Sequence, residues 1–124
     1  MDKNEQLLLK TVKKFWAEQK KKYKDPEIIE QKKNSNGNYF KFNRIKNIVK
    51  LNDKIERVTV DGINLLIQAA ELFILELTKR AQIEAKGYKR KIIKVEDLIR
   101  AASRAEHYDF LLDVFPEEVV EDNM

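Results

Sequence analysis

The chain has 124 residues, which is room for one domain of ordinary size, and its 25 basic and 21 acidic residues give a net charge of +4. It contains no cysteine, which excludes disulfide bonds and thiolate metal sites. The opening residues MDKNEQLLLK are too polar for a signal peptide, and no apolar run approaches the roughly 20 residues of a membrane span, so we expect a soluble intracellular protein.

Charge is distributed unevenly along the chain. Residues 41–94 carry thirteen basic and six acidic side chains, whereas residues 95–124 carry two basic and nine acidic ones. A basic segment can bind phosphate groups and release their condensed counterions, whereas an acidic segment suits a basic protein partner. We therefore expect two kinds of partner, although charged surfaces of this composition also occur on domains that bind neither.

The N-terminal part of the chain predicts a helix followed by a linker. Only three glycines and two prolines are present and apolar residues recur at helical spacing, so the whole fold is predicted to be all-α. Residues 1–25 are expected to form an amphipathic helix that ends at Asp25 and Pro26. The polar stretch KKNSNGN predicts a flexible linker over residues 26–38. The packed domain is expected to span residues 39–116, with an acidic tail over residues 117–124.

Three further helices are predicted in the packed domain. A short one covers roughly residues 43–51, and a long one begins after the N-cap residue Thr59 and runs to Lys86, ending at Gly87. A third, short helix follows the basic loop YKRKIIK and starts at Lys94, whose side chain is not suited to cap it. The segment YDFLLDVF predicts a last apolar turn or short helix before Pro116.

The long helix is apolar around most of its circumference. The strongly polar residues in its first half form only a narrow solvated stripe, which consists of Asn64, Gln68, Glu71 and Glu76. A helix of this kind must be buried on nearly all sides, and two short flanking helices cannot cover it. We therefore predict that a partner chain packs on an apolar interface made of Ile63, Leu66, Ile67, Ala70, Phe73, Ile74 and Leu77. The alternative is that the N-terminal helix folds back over this face.

The helix order and several sequence strings resemble one protein family. A short, a long and a short helix with a basic second loop resemble the histone fold. The strings RIKNIVKL, AAELFILELTKRA, KRK and YDFLLDVFP are similar to the gamma-subunit family of nuclear transcription factor Y, the CCAAT-binding factor. That family belongs to the histone-fold branch that resembles core histone 2A. The similarity runs without a gap from Arg44 to Pro116, and the aromatic pair Phe15 and Trp16 adds to it.

The sequence departs from the pattern of that family at several positions. Gln82, Gly62, Ile92 and Glu56 stand where the family usually has Trp, Ala, Thr and Lys. Glycine in place of alanine weakens a helix by up to ~1 kcal/mol. Glu56 removes a cation from a loop that faces DNA in the family.

The resemblance implies a DNA-binding subunit of a heteromeric CCAAT-box transcription factor that acts in the nucleus, with no enzymatic activity, cofactor or metal. Its partners would be a second, histone 2B-like histone-fold subunit in an obligate heterodimer, a third, basic subunit that reads the sequence, and double-stranded DNA. In a histone-fold pair the first loop of one chain lies beside the second loop of the other, and both present cations and backbone amides to phosphates. The residues expected to contact the DNA backbone are Arg44, Lys46, Lys54, Arg57, Lys89 and Lys91.

Two further sets of residues are assigned by the resemblance. Arg90 and Asp97 are expected to form the structural ion pair that braces the second loop in many histone folds. The aromatic pair and the acidic C-terminal end are expected to dock the third subunit, which would bind as a basic amphipathic helix. This docking set consists of Phe15, Trp16, Phe110, Asp109, Asp113, Glu117 and Glu118. The alternative is that the acidic end is a solvated tail after a core helix.

Other functions compete with this interpretation. An enzyme is disfavoured because the chain has one histidine, no cysteine, no glycine-rich phosphate loop and no histidine and carboxylate cluster at metal-binding spacing. The main alternative is a histone 2A-like histone-fold subunit of a chromatin-remodelling, DNA polymerase epsilon or negative cofactor 2 complex. The lysines between Lys13 and Lys24 are compatible with a nuclear import signal, a DNA-contacting arm or a solvated helix face.

Overall fold

The regular structure of the chain is helical. The computed structural model describes residues 2–33, 38–117 and 119–120, and within these ranges it contains no β-strand. The helices are α1 (Lys3–Lys22), α2 (Pro26–Lys33), α3 (Phe42–Val49), α4 (Val60–Gly87), α5 (Val95–Ser103), a 3-10 turn (Glu106–Tyr108) and α6 (Asp109–Leu112). Among these, no helix combines the length and the hydropathy needed to cross a bilayer. The predicted all-α class and the short, long, short order of α3, α4 and α5 are confirmed.

The chain separates into two compact units. The first unit consists of Met1–Phe15 and Leu75–Met124, and the second consists of Trp16–Ile74. Helices α1 and α4 each contribute residues to both units.

The segment between α1 and α3 contains a helix that the sequence analysis missed. A flexible linker was expected over residues 26–38, but residues Pro26–Lys33 form α2, and residues 34–37 lie outside the described residues. The Asp25 carboxylate caps this helix because its Oδ1 accepts a hydrogen bond from the amide of Glu27 at 2.9 Å. Proline suits the first position of a helix, where its missing N–H has no partner to lose. Asp25 and Pro26 therefore begin a second helix as well as following the first.

Glu71 on α4 is buried and bound, although a solvated position was expected. Its Oε2 lies 3.1 Å from the ammonium of Lys32 on α2, and its Oε1 accepts a 2.6 Å hydrogen bond from the amide of Tyr39. A buried carboxylate is tolerated when a cation and hydrogen-bond donors replace its water. Part of the predicted solvated stripe of α4 is therefore a contact site for the chain's own N-terminal segment.

Gln68, one turn earlier on α4, belongs to the same attachment. Its side-chain oxygen accepts a 2.7 Å hydrogen bond from the hydroxyl of Tyr23, and its amide donates to Asn38 Oδ1 at 2.7 Å. The N-terminal segment therefore contacts α4 of the second unit through polar groups. Leu66 and Ile74 of the predicted partner face stay exposed, so the N-terminal segment does not cover these two residues.

Glu76 is the corresponding buried carboxylate of the first unit. Its Oε1 accepts hydrogen bonds from the hydroxyl of Tyr108 at 2.6 Å and from Arg80 Nε at 3.2 Å, and it lies 2.7 Å from His107 Nε2. Burial raises the pKa of the Tyr108 phenol far above its ordinary value, and the negative Glu76 adds to this shift. Tyr108 therefore acts as a hydrogen-bond donor that ties the end of the chain to α4.

Candidate functional site

The loop between α3 and α4 presents cations on its surface. Lys54 and Arg57 are exposed, and all residues from 51 to 60 are exposed. Asn52 shapes the turn, because its Oδ1 accepts a hydrogen bond from the amide of Lys54 at 3.0 Å. On α3, Arg44 is exposed and Lys46 is half-buried. The second unit therefore holds four of the six residues expected to contact the DNA backbone, and it leaves three of them open to solvent.

The start of α4 borders this loop. Thr59 is the N-cap of α4, as predicted, because its hydroxyl accepts a 3.0 Å hydrogen bond from the amide of Gly62. A Cβ added at Gly62 would lie 3.1 Å from Thr59 Oγ1 and 3.1 Å from Val58 Cγ1. Glycine at this position therefore avoids a close contact with the capping Thr59 side chain, but it has a lower helix propensity than alanine.

The loop between α4 and α5 is braced by a bidentate ion pair. Arg90 Nη1 lies 2.8 Å from Asp97 Oδ2, and Arg90 Nη2 lies 2.8 Å from Asp97 Oδ1. The same carboxylate accepts hydrogen bonds from Arg100 Nη2 at 2.9 Å and from the amide of Lys94 at 2.8 Å. Asp97 thus also supplies the cap of α5 that the side chain of Lys94 does not provide. The structure brings the expected pair together and adds two donors.

The Asp97 carboxyl is held in its charged form. It is fully buried, and the hydrogen bonds from Arg90 are the largest of the influences that lower its pKa from 3.8 to about 2. The same contact raises the pKa of Arg90. Both partners are therefore ionised throughout the physiological pH range, and the loop keeps one geometry.

Lys89 has a left-handed backbone, with a φ of 58°. The amide of Arg90 donates to the carbonyl of Ala85 at 3.0 Å, and the amide of Lys89 donates to that of Lys86 at 2.9 Å. These two bonds form a Schellman motif, in which the left-handed position usually holds glycine. Gly87 was expected to have this role, but it belongs to α4 and has no positive φ. Lys89 therefore occupies a left-handed backbone conformation that is strained for a residue with a side chain.

Tyr88 lies beside two guanidinium groups. The centroid of its ring lies 4.5 Å from Arg100 Cζ and 5.6 Å from Arg90 Cζ. Cations over an aromatic face are attracted to it. Sequence analysis missed Tyr88 and Arg100, although Arg100 stands three positions after Asp97 on a helix, a spacing at which side chains meet.

The basic side chains around this loop line a groove of the first unit. The groove has a volume of about 660 Å³ and is lined by Gln82, Ala85, Lys86, Lys89, Arg90, Lys91 and Ile93. Lys89 and Lys91 are exposed, whereas Arg90 is turned to Asp97. The groove therefore offers positive charge that is free to meet phosphates, on a backbone that the ion pair holds in place.

The residues expected at the partner interface do not behave as one set. Ile63 and Ile67 are each 1% exposed, so the chain itself covers them. Leu66 and Ile74 are 43% and 47% exposed, and Leu65, which was not predicted, is 71% exposed. The half-buried members are Ala70, Phe73 and Leu77. Helical periodicity marks apolar faces but does not say which of them the chain covers itself.

The residues expected to dock a third subunit also divide. Phe15 is 4% exposed and belongs to the core, and Trp16 is half-buried, so their docking role stays a prediction. Phe110 is 56% exposed. Beside it the acidic side chains of Asp109, Asp113 and Glu117 are exposed, and Glu118 lies outside the described residues. The acidic end of the chain therefore has an accessible aromatic ring and exposed carboxylates near it in sequence.

Comparison with known proteins places the chain in a family. The profile of "Histone-like transcription factor (CBF/NF-Y) and archaeal histone" matches residues 39–102. The chain is 34% identical over 108 residues to the C-6 subunit of nuclear transcription factor Y from Oryza sativa subsp. japonica, covering 87% of the chain and 50% of that relative. It is 32% identical over 108 residues to the C-1 subunit from Arabidopsis thaliana, covering 87% of the chain and 44% of that relative.

The human relative is matched over a shorter stretch. The chain is 35% identical over 75 residues to the gamma subunit of nuclear transcription factor Y from Homo sapiens, covering 60% of the chain and 16% of that relative. The chain spans half or less of the length of these curated relatives. The profile match covers more than half of the chain and includes α3, α4 and most of α5. The chain therefore belongs to the histone-like transcription factor (CBF/NF-Y) and archaeal histone family and has a histone fold.

Proposed function

We propose that the chain is a histone-fold subunit of a heteromeric CCAAT-box transcription factor that acts in the nucleus and catalyses no reaction. The observation that carries this proposal is the open apolar face of α4 in a chain of this family. Leu66 and Ile74 are large apolar side chains, each more than 40% exposed, and at about 100° per residue they lie on one side of α4. Burying them against an apolar surface would contribute about 25 cal/mol per Å². A second, histone 2B-like histone-fold subunit is the partner that this face suits.

DNA contact in this proposal is sequence-independent. Lys54 and Arg57 of the first loop and Lys89 and Lys91 of the second would meet phosphates, with Arg44 and Lys46 of α3 beside the first loop. Such contacts set position and affinity, but they do not read bases. Five of these six cations are exposed, all but Lys46, and the ion pair between Arg90 and Asp97 holds the second loop. Both observations support this role, because a fixed loop loses little freedom on binding.

Sequence reading would belong to a third, basic subunit docked at the acidic end. Phe110 supplies an exposed ring, and Asp109, Asp113 and Glu117 supply charge that suits a basic amphipathic helix. The docking role of Glu118 and Trp16 rests on the family resemblance alone. The relatives named above are all nuclear transcription factor Y subunits, which favours the CCAAT-box assignment over the chromatin-remodelling, polymerase epsilon and negative cofactor 2 complexes.

The test is reconstitution with defined subunits. The full chain is co-expressed with a histone 2B-like subunit and a CCAAT-reading subunit of nuclear transcription factor Y, and binding to a CCAAT duplex is compared with binding to a scrambled duplex. We expect a trimer that prefers the CCAAT duplex. A chain that stays monomeric beside both subunits, or a trimer with no preference between the duplexes, contradicts the proposal.

A matched pair of variants locates the partner face. Leu66→Asp places a charge on the open face of α4 and is expected to abolish pairing, because a buried unpaired carboxylate opposes association. Leu9→Asp changes another exposed leucine, 48% exposed on α1, and is expected to leave pairing intact. Equal behaviour of the two variants in co-purification would remove this face from the proposal.

A further inference from the structure

The lysines of α1 are gathered on one side of the helix. At about 100° per residue, six of them fall within an arc of about 120°. These six, named here the lysine stripe, are Lys3, Lys10, Lys13, Lys14, Lys20 and Lys21. The arc contains only two other residues, Gln6 and Ala17, and no acidic one. All six lysines are exposed.

Packing fixes the direction in which the stripe points. Phe15 lies on the opposite side of α1 and is buried in the first unit. In the second unit, Tyr23 just after the helix is tied to Gln68 through its hydroxyl. Residues of the chain therefore cover the apolar side of α1, and the lysine stripe faces the solvent.

The stripe carries charge that the chain does not neutralise. None of its six lysines forms an ion pair with any residue in the ranges 2–33, 38–117 and 119–120. Lys10 is followed by Lys13 and Lys14 at helical positions that face each other, where like charges repel. A polyanion bound along the stripe would relieve this repulsion.

We propose that the lysine stripe is a second binding surface for the phosphate backbone of duplex DNA, separate from the two basic loops. From Lys3 to Lys21 the helix is about 27 Å long at ~1.5 Å per residue. Each strand carries one phosphate per about 3.4 Å of the duplex axis, so a duplex segment as long as the stripe carries about eight phosphates on each strand. Lysine is a point charge on a flexible stem, so this surface adds affinity without reading bases.

DNA fits this surface better than a lipid bilayer does. A helix that lies on a membrane inserts an apolar face below its cationic rim. In α1 the aromatic residues Phe15 and Trp16 are buried and half-buried in the protein, so they do not reach a bilayer. A polyanion needs no such face. The inference goes beyond the proposed function, which assigns DNA contact to α3 and the loops.

The test is the salt dependence of binding to a scrambled duplex. The full chain, co-expressed with its histone 2B-like subunit, is titrated between about 50 and 200 mM salt. The triple variant Lys10→Gln, Lys13→Gln, Lys14→Gln should reduce the slope of log K against log salt by about 2 to 3. The same lysines changed to arginine should keep the slope. An unchanged slope in the glutamine variant overturns the proposal.

Neighbouring lysines provide the matched control. Lys21 lies in the stripe, whereas Lys22 is equally exposed on the same helix about 100° away. Lys21→Gln should lower the slope by about 0.9, and Lys22→Gln should lower it less. Equal effects would show a diffuse charge effect and overturn the stripe. These two single variants also answer the question if the triple variant fails to fold.

Two further measurements separate this inference from its rivals. In the trimer with the CCAAT-reading subunit, the stripe variants should keep the preference for a CCAAT duplex over a scrambled one. A parent trimer that lacks this preference is a failure of the proposed function alone. Vesicles containing phosphatidylserine should bind the parent and the triple variant equally weakly. Strong vesicle binding that the triple variant loses, with an unchanged DNA slope, would assign the stripe to membranes and overturn the proposal.

Discussion

Replacing Asp97 with asparagine removes the charge at the centre of the second loop. The carboxylate accepts four hydrogen bonds, two from Arg90, one from Arg100 and one from the amide of Lys94. Asparagine keeps one acceptor oxygen and puts an NH₂ group where the other oxygen stood, so it loses at least two bonds. The two guanidinium groups then keep the longer contacts of Arg90 with Glu96 at 3.5 Å and of Arg100 with Glu84 at 3.9 Å.

The size of this effect follows from the burial of the partners. Breaking a buried ion pair costs ~3–5 kcal/mol. The side chains of Arg90 and Arg100 remain 22% and 16% exposed, so water reaches them and reduces the penalty. We expect Asp97→Asn to lower the free energy of unfolding by about 2–3 kcal/mol, which lies below that range. Urea unfolding at fixed protein concentration measures it, since a paired chain has a concentration-dependent midpoint.

The pH dependence supplies an independent check. The pKa of Asp97 is depressed from 3.8 in the unfolded chain to about 2 in the folded one. Its stabilisation is therefore complete above pH 4 and is lost as the pH falls towards 2. The stability difference between the parent and the variant should shrink over that window. Asp53→Asn, at an exposed loop position, is the control and should leave stability nearly unchanged. A variant as stable as the parent, or a difference that stays constant from neutral pH to the acid limit, would refute the reasoning.

Three other substitutions test separate features. Lys89→Gly relieves the left-handed backbone strain and should stabilise the chain by about 1 kcal/mol. It should also make the slope of log K against log salt for DNA binding shallower by about 0.9. Lower stability in urea unfolding would contradict the assigned strain. Gly62→Ala gains up to ~1 kcal/mol of helix propensity but brings a Cβ to 3.1 Å from Thr59 Oγ1. Thermal unfolding should therefore show little net change in stability, and the full gain would mean that the Thr59 side chain moves to make room. Tyr108→Phe leaves the buried Glu76 without one donor and should cost about 1–2 kcal/mol of unfolding free energy, whereas an unchanged melting temperature would show that this hydroxyl is dispensable.

The missed helix α2 shows how one local signal supports two interpretations. Asp25 and Pro26 mark the end of a preceding helix, because proline cannot continue one, and they also suit the cap and first position of the next. Polar composition in the residues that follow then favoured a linker. What decides the outcome is the contact of Lys32 with the buried Glu71, thirty-nine positions away, which no local pattern reveals.

The two carboxylates of α4 show the same limit in the core. Glu71 and Glu76 interrupt an apolar face at a spacing typical of a solvated stripe, yet both are buried. Their partners Lys32, Tyr108 and His107 come from distant parts of the chain. A carboxylate is placed by the donors that replace its water, and those donors are known only when the chain is folded.

The sequence by itself determined the helical class, the bounds of α4 and the basic loops, because helical periodicity, capping residues and charge are local properties. It also predicted the pairing of Arg90 with Asp97, through the family resemblance. Only the tertiary structure decided which apolar residues stay open, since Ile63 and Ile67 are buried within the chain while Leu65 on the same helix remains accessible. Periodicity gives the phase of a face around the helix axis, whereas burial depends on which distant segment packs against that face.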